Sequence, residues 1–582
     1  MKKMISVFAL VTVLIASFST EAFAGNVVDE QQNQSTLPKV RYYYTDSQND
    51  VAMTGDADEF HENMEEDNQI EVVFELDYDR EDCDCRKSIN AESTDEEVDA
   101  VKMHHRQEMK EKHTQENEEF LADNGFSTES DEYTVTMSEY SPFVQVVFDN
   151  YNDFQNYEAS IIGVAEDDAV LGVNIGLPFS EQTNATRVDS SDAPSYPMLV
   201  ALMHIDALSQ TYDGTGITVG IIEAEGVAYS SSHSELNSLS IHVNGSTTSP
   251  HAIAVTRLLC GSNGVARNVD EVYIYHAPNT NYTINSLDWM MENGVDVINQ
   301  SMSIDDFNGI YHWTSAILDF YVRYNIVTFV NSAGNDGDTS NSDTNSFGMG
   351  YNVIAVGATD AYNNSSTYSS FGVGDDIDSR KPTISAPGTN IVIGGDSLIP
   401  GTSFSAPIVT GVIAKLMDEF SFLKFYPEVV IASLIASATP VNGQSGAWDR
   451  HAGAGRINYT RAREAVENYV DFEITNDAVG SIRAAQALSG VANKTIRVAA
   501  FWLVNSTTET ANDQILVNHH TDYDLLIADS NGEYITGSMH WSNIEIINYS
   551  CGSRNNIILQ IEQYAARITS DDEWGAFTWV YD

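Results

Sequence analysis

The stretch Gly401-Thr402-Ser403-Phe404-Ser405-Ala406-Pro407, followed by an apolar run from Ile408 to Met417, is the sharpest local signal in this 582-residue chain. A glycine turn sets Ser403 at the start of a helix. There, backbone N–H groups without intrahelical partners and the positive end of the helix dipole lie beside any oxyanion formed at its Oγ. A serine ahead of an apolar helix also serves as a plain cap, Thr402 or Ser403 satisfying those N–H groups and doing no chemistry. What separates the two readings is whether a base and an orienting acid accompany the serine.

Both candidates lie upstream. Pro250-His251-Ala252-Ile253-Ala254-Val255 puts a histidine in the first turn of an amphipathic helix, with Ser249 as candidate cap and Pro250 suited to the first helical position. Val219-Gly220-Ile221-Ile222-Glu223-Ala224-Glu225-Gly226 ends a buried strand in acid, at the strand edge where parallel α/β proteins keep their sites. Taken singly, Glu223 is a solvated strand end and His251 a surface imidazole; in the order acid, histidine, serine they form a constellation. A fourth element, Ser332-Ala333-Gly334-Asn335-Asp336-Gly337, follows the apolar strand Ile326 to Val330. An Asn amide at a Gly-flanked strand end can donate to a developing oxyanion, although Asn-Asp-Gly is also an ordinary turn.

These residues together resemble the subtilisin-like serine proteases, the subtilases, over about residues 196–470. Further ordered matches are Val295 to Met302, Asn352 to Ala358, Ile384-Ser385-Ala386-Pro387-Gly388 and Gly453-Ala454-Gly455-Arg456-Ile457-Asn458. The resemblance implies a serine endopeptidase with Ser403 as nucleophile, His251 as general base, Glu223 as the carboxylate and Asn335 as oxyanion donor. It also implies that Ser301, Met302 and Ser303 form one wall of the specificity pocket and Ser332, Ala333 and Gly334 the other. No cofactor is required for that chemistry.

Three departures from the family pattern stand out. The family has Asp where Glu223 stands, which makes Glu225 an alternative partner for His251. Ala252-Ile253-Ala254-Val255 replaces the usual Gly-Thr-His-Val after the histidine. A short connection, Cys260 to Ala266, stands where many subtilases carry a longer calcium-holding loop, so that site is expected to be missing and any structural calcium is unassigned; no metal ligands are proposed from the sequence. The competing class is a secreted, catalytically silent binding protein of subtilase fold.

Outward from the motifs, short continuous apolar runs alternate with helical segments: Ile217 to Ala224, Glu271 to His276, Val295 to Met302, Ile326 to Ser332 and Asn352 to Ala358 read as buried parallel strands. The expected fold is therefore a doubly wound, mostly parallel α/β sheet over 191–470. Residues 25–190 are acidic and polar, with the order β-α-β-β-α-β beginning at Ile70 and a long charged helix from Glu96 to Asn124. By resemblance this region is a propeptide, acting as an intramolecular inhibitor. Residues 471–582 return to alternation without helices and read as a β-sandwich, similar to the jelly-roll domains appended to many subtilases.

Met1-Lys2-Lys3, the apolar run Met4 to Phe18 and Ala22-Phe23-Ala24 follow the grammar of a secretory signal over 1–24, so the product is expected to be extracellular. The net charge is −57, which disfavours nucleic acid and anionic membrane as partners and favours a monomer, while protein or peptide substrates are what the resemblance implies. The four cysteines form no disulfide scaffold and no zinc spacing; a Cys260 to Cys551 bridge is the one long-range pairing considered. His104, His105 and His113 read as solvated surface of the charged helix, and His519 and His520 have no ligand-spaced partner.

Overall fold

The computed structural model describes residues 40–45, 51–77, 84–167, 169–178, 195, 203, 211–303, 309–340, 342–372, 380–398, 400–505, 521–565 and 572–581. The signal-like segment, His519 and His520 lie outside them. The heart of the molecule is a seven-stranded sheet in which every pairing is parallel: β7 (Thr218–Glu223), β8 (Ile241–Asn244), β9 (Glu271–His276), β10 (Val297–Gln300), β11 (Thr328–Ser332), β12 (Ile354–Thr359) and β13 (Ile384–Pro387). Its order is β13-β12-β11-β10-β7-β9-β8. The chain builds one flank through β9 and then crosses to the other at β10, so the winding reverses beside β7. That reversal opens a crevice at the carboxyl ends of β7 and β10, where Glu223 and Ser301 emerge.

Before β7 come β1 (Val40–Thr45), β2 (Val51–Thr54), α1 (Ala57–Glu62), β3 (Ile70–Leu76), α2 (Asp95–Asn124), β4 (Tyr133–Met137), β5 (Phe143–Phe148), α3 (Tyr151–Val164) and β6 (Val170–Gly176). They form a six-stranded sheet ordered β2-β1-β6-β3-β5-β4. The β-α-β-β-α-β succession read from Ile70 onward is present, with β1, β2 and α1 added ahead of it. Thr94 and Glu97 make a reciprocal capping box that starts α2, and Gly125, with φ of +74°, ends it.

The helices that position the site are α4 (Pro250–Cys260), α5 (Thr283–Glu292), α6 (Trp313–Tyr324) and α7 (Thr402–Glu419). The carboxyl-terminal region is all β, with two four-stranded antiparallel sheets drawn from residues 469–581. Cys260 and Cys551 are both buried and both free, so the long-range bridge does not form. Among the described residues no helix is long and apolar enough to cross a membrane.

One expectation is overturned. His105 and His113 are not solvated: they are 5% and 3% exposed, on the face of α2 that packs against the parallel-sheet region. His105 Nε2 lies 2.5 Å from the Tyr324 carbonyl, and the His113 ring sits edge-on to Phe320. A helix with so many charges reads as solvated by hydropathy, but here its polar side chains meet polar backbone from another part of the chain.

Candidate active site

β7 ends in Glu223, whose carboxyl group is buried and whose Oε2 lies 2.7 Å from His251 Nδ1. His251 is held there by the start of α4: the Ser249 hydroxyl accepts hydrogen bonds from the backbone N–H groups of His251 and Ala252, and Pro250 occupies the first turn. The Ser249 hydroxyl in turn donates to Glu225 Oε2 at 3.1 Å. The two glutamates thus divide the work, Glu223 on the imidazole and Glu225 on the cap of its helix. Gly226 lets these segments meet. Its φ is +144°, and a Cβ there would stand 2.4 Å from the Thr247 carbonyl oxygen, where Val227 N–H donates at 2.8 Å. Ala252 is wholly buried within an unbroken α4, so its methyl group is accommodated.

Burial raises the Glu223 carboxyl above its ordinary value, opposed by the charge and hydrogen bond of His251. For His251, burial acts to depress the pKa, but the charge of Glu223, its hydrogen bond and the charge of Glu225 outweigh it and leave the imidazole raised. His276, which pairs in register with Glu223, adds a further favourable charge interaction with that carboxylate and binds the Ala224 carbonyl through Nε2 at 2.8 Å. Sequence reading passed over His276, although its place as the last residue of a buried strand beside β7 was the available signal.

Ser403 stands at the second residue of α7, 9% exposed, with the Phe404 ring centroid 5.6 Å from that of His251. Its hydroxyl donates to the Ser301 carbonyl at 3.3 Å, while the Ser301 hydroxyl donates to the Ser403 carbonyl at 2.9 Å and accepts from Asn299 Nδ2. This reciprocal pair ties the helix start to the end of β10. It also buries Ser301, with Met302 buried beside it and Ser303 half-buried.

Asn335 is fixed by its oxygen. Oδ1 accepts from the Thr402 backbone N–H at 2.9 Å and from the Thr402 hydroxyl at 3.0 Å, and that hydroxyl also meets the Gly334 backbone. Two donors on Oδ1 orient the amide and leave Nδ2, with its two protons, near Gly401 at the helix entrance: a Cβ on Gly401 would be 3.9 Å from it. Gly334 is required at this bend, with φ of +112° and a Cβ position only 2.7 Å from Ser370 Oγ. Ser332, Ala333 and Gly334 are all buried along this edge. Thr402, read from sequence as a competing cap, is instead the residue that clamps Asn335.

Residues 243–455 match the family described as the Subtilase family. Over that span the chain is similar to the subtilisin-like serine endopeptidases. The matched span contains His251, Asn335 and Ser403; Glu223 lies ahead of it. Subtilisin DY of Bacillus licheniformis is 28% identical over 250 residues, covering 40% of this chain and 88% of that protein. Subtilisin NAT of Bacillus subtilis subsp. natto is 27% identical over 247 residues, covering 39% of this chain and 62% of that one. Fervidolysin from Fervidobacterium pennivorans, a solved keratinolytic enzyme related to subtilisin, aligns over 89% of this chain and 77% of its own at 16% identity, with a TM-score of 0.47.

At the short Cys260 to Ala266 connection the residues do not fit a calcium ion. The nearby carboxylates are committed to Arg257, whose Nε lies 2.6 Å from Glu235 and whose Nη1 lies 3.0 Å from Asp396, while Nη2 donates to the Ile393 carbonyl. A fixed side-chain cation takes up the negative charge there.

Proposed function

We propose that this chain is a secreted endopeptidase in which Ser403 Oγ attacks the scissile carbonyl carbon. His251 Nε2 takes the hydroxyl proton and passes it to the leaving amine; water then repeats the sequence on the acyl-enzyme, releasing the acid and restoring Ser403. Glu223 holds the Nδ1–H tautomer and stabilises the imidazolium. Asn335 Nδ2 and the first-turn N–H of Ser403 receive the oxyanion. The observation that carries this reading is the 2.7 Å contact between Glu223 and His251 at the sheet's topological switch, with Ser403 in the first turn of the helix Thr402–Glu419. For attack, the Ser403 hydroxyl must leave the Ser301 carbonyl for the imidazole, and its 3.3 Å bond there is a weak one to give up.

Small, uncharged groups at Ser301 to Ser303 and Ser332 to Gly334 favour an apolar substrate side chain before the cut, with protein or peptide substrates and a monomeric enzyme. The N-terminal α+β region is read as a propeptide, cut from the catalytic region between about Ile175 and Pro197. The contacts on Glu223 and Asn335 speak against a silent binding protein, because nothing in a silent fold requires an amide clamped with its donors outward. The test is digestion of an unfolded protein by the wild-type chain and by Ser403→Ala. Wild type is expected to degrade it and to process itself, while the alanine variant stays full length after signal removal and inert. Equal digestion by both chains would overturn the reading.

A further inference from the structure

The buried stripe of α2 runs Val98, Lys102, His105, Arg106, Met109, His113 and Asn117, a helical spacing filled mainly with polar side chains. It crosses the amino-terminal edge of the parallel sheet, opposite the end that carries Glu223. Lys102 Nζ lies 3.0 Å from Asp296 Oδ1, just ahead of β10, while the other oxygen of that carboxylate accepts from Thr218 N–H at the start of β7. Arg106 donates from Nε to the Asn325 carbonyl and from Nη2 to the carbonyls of Val295 and Ile326, at 3.0, 2.8 and 3.2 Å. Ile326 has a φ of +53°, a conformation a β-branched residue adopts only under constraint, and the Arg106 guanidinium binds the carbonyls on both sides of that bend. The bend feeds β11, which ends at Ser332 and leads to Asn335.

Other anchors reinforce this one. Lys424 Nζ bridges Asp99 of α2 and the Gly216 carbonyl at 2.9 and 2.8 Å. Arg86 pairs with the buried Glu428, its guanidinium 4.9 Å from the Tyr426 ring and 4.3 Å from the Trp574 ring, so it joins the N-terminal region to both others. The apolar residues are continuous as well: Tyr43, Val73, Val98, Met109, Tyr140 and Phe143 belong to the same buried cluster as Ile217, Val295 and Phe320. Departure of the N-terminal region would strip Asp296 of its ion-pair partner Lys102, leave the constrained bend without its donor and open this cluster to water.

We propose that the N-terminal α+β region is a permanent, non-covalent subunit of the mature enzyme, retained under the sheet through α2 after the connecting chain is cut. The proposal rests on the propeptide reading only for there being a cut. The folded N-terminal region then keeps the far edge of the sheet in place after the cut.

The test separates this from catalysis by using the full chain with Ser403→Ala and a foreign protease's recognition sequence placed between Gln182 and Val188. After complete cutting, the two fragments are expected to elute together at the mass of the intact chain, to remain together after dilution to about 10 nM, and to part only in denaturant. Separation at neutral pH, with the catalytic fragment remaining folded, would overturn the proposal. The same nicked chain carrying Lys102→Met and Arg106→Met, shown to be folded before cutting by its circular dichroism, is expected to separate. Continued co-elution of that variant would overturn the role given to α2. Neither outcome depends on Ser403 being the nucleophile, whose failure would show instead as an unprocessed, inactive wild type.

Discussion

The two ends of the parallel sheet are built from the same strands and treat polar groups in opposite ways. At the amino-terminal edge, Lys102, Arg106 and His105 are committed to Asp296 and to four backbone carbonyls, so every contact serves to hold one part of the chain on another. At the carboxyl-terminal edge, groups are oriented and then left with capacity to spare. Asn335 has both acceptor contacts on Oδ1, Ser403 Oγ has one long bond, and Glu223 Oε1 is buried without a hydrogen bond. Cohesion at the first edge comes from side chains that reach other parts of the chain, even though Arg106 Nη1 is itself buried without a hydrogen bond, and chemistry at the second comes from groups held in orientation beside the crevice.

The largest break in that contrast is expected from Glu223→Gln. The fold should persist, but the amide disfavours the required tautomer and the imidazolium, so kcat should fall by up to about 10⁴, read from steady-state hydrolysis of a peptide substrate. At the opposite edge, Lys102→Ala should leave Asp296 buried without its partner. It is expected to cost about 3–5 kcal/mol in denaturant unfolding, with little change in KM before the protein melts. Asn335→Leu should lower kcat by about 10²–10³ with KM nearly unchanged, because the Nδ2 bond strengthens only as the oxyanion forms.

The smallest effect concerns Glu225 and pH. His251 must be neutral to accept the serine proton, and its pKa is raised, so the acid limb of kcat/KM should lie above the ordinary histidine value of 6.5. Glu225 is one of the charges that raise it. Glu225→Gln should therefore shift that limb to lower pH, by less than about one unit, with the alkaline plateau kept within about threefold. A plateau collapse in Glu225→Gln with Glu223→Gln intact would reverse the roles assigned to the two residues.

The contrast between the edges also accounts for what could be read in the sequence. Glu271–His276 was legible to the residue because a strand paired on both sides is a short apolar run with polar ends, and the Ser403, His251 and Asn335 segments stood out because their residue types have few other uses together. β8 was missed: four residues, half-exposed at an edge, carry no such run. β13 was seen as a motif but not as a strand, being four residues that end in proline. The buried face of α2 was illegible for a different reason. Its partners are backbone carbonyls and one aspartate some two hundred residues away, and no hydropathy pattern encodes those. Glu223 and Glu225 could not be separated by strand alternation, which places both on one face; the Ser249 cap separates them in space.

Whether Ser403 is an activated nucleophile in an oriented site is read by treating the full chain with a fluorophosphonate and mapping the adduct by peptide mass. One adduct is expected, on Ser403 Oγ, forming faster as pH rises through the His251 titration and strongly slowed in Glu223→Gln. A folded wild-type chain that takes no label, or one labelled at a different residue, would contradict it.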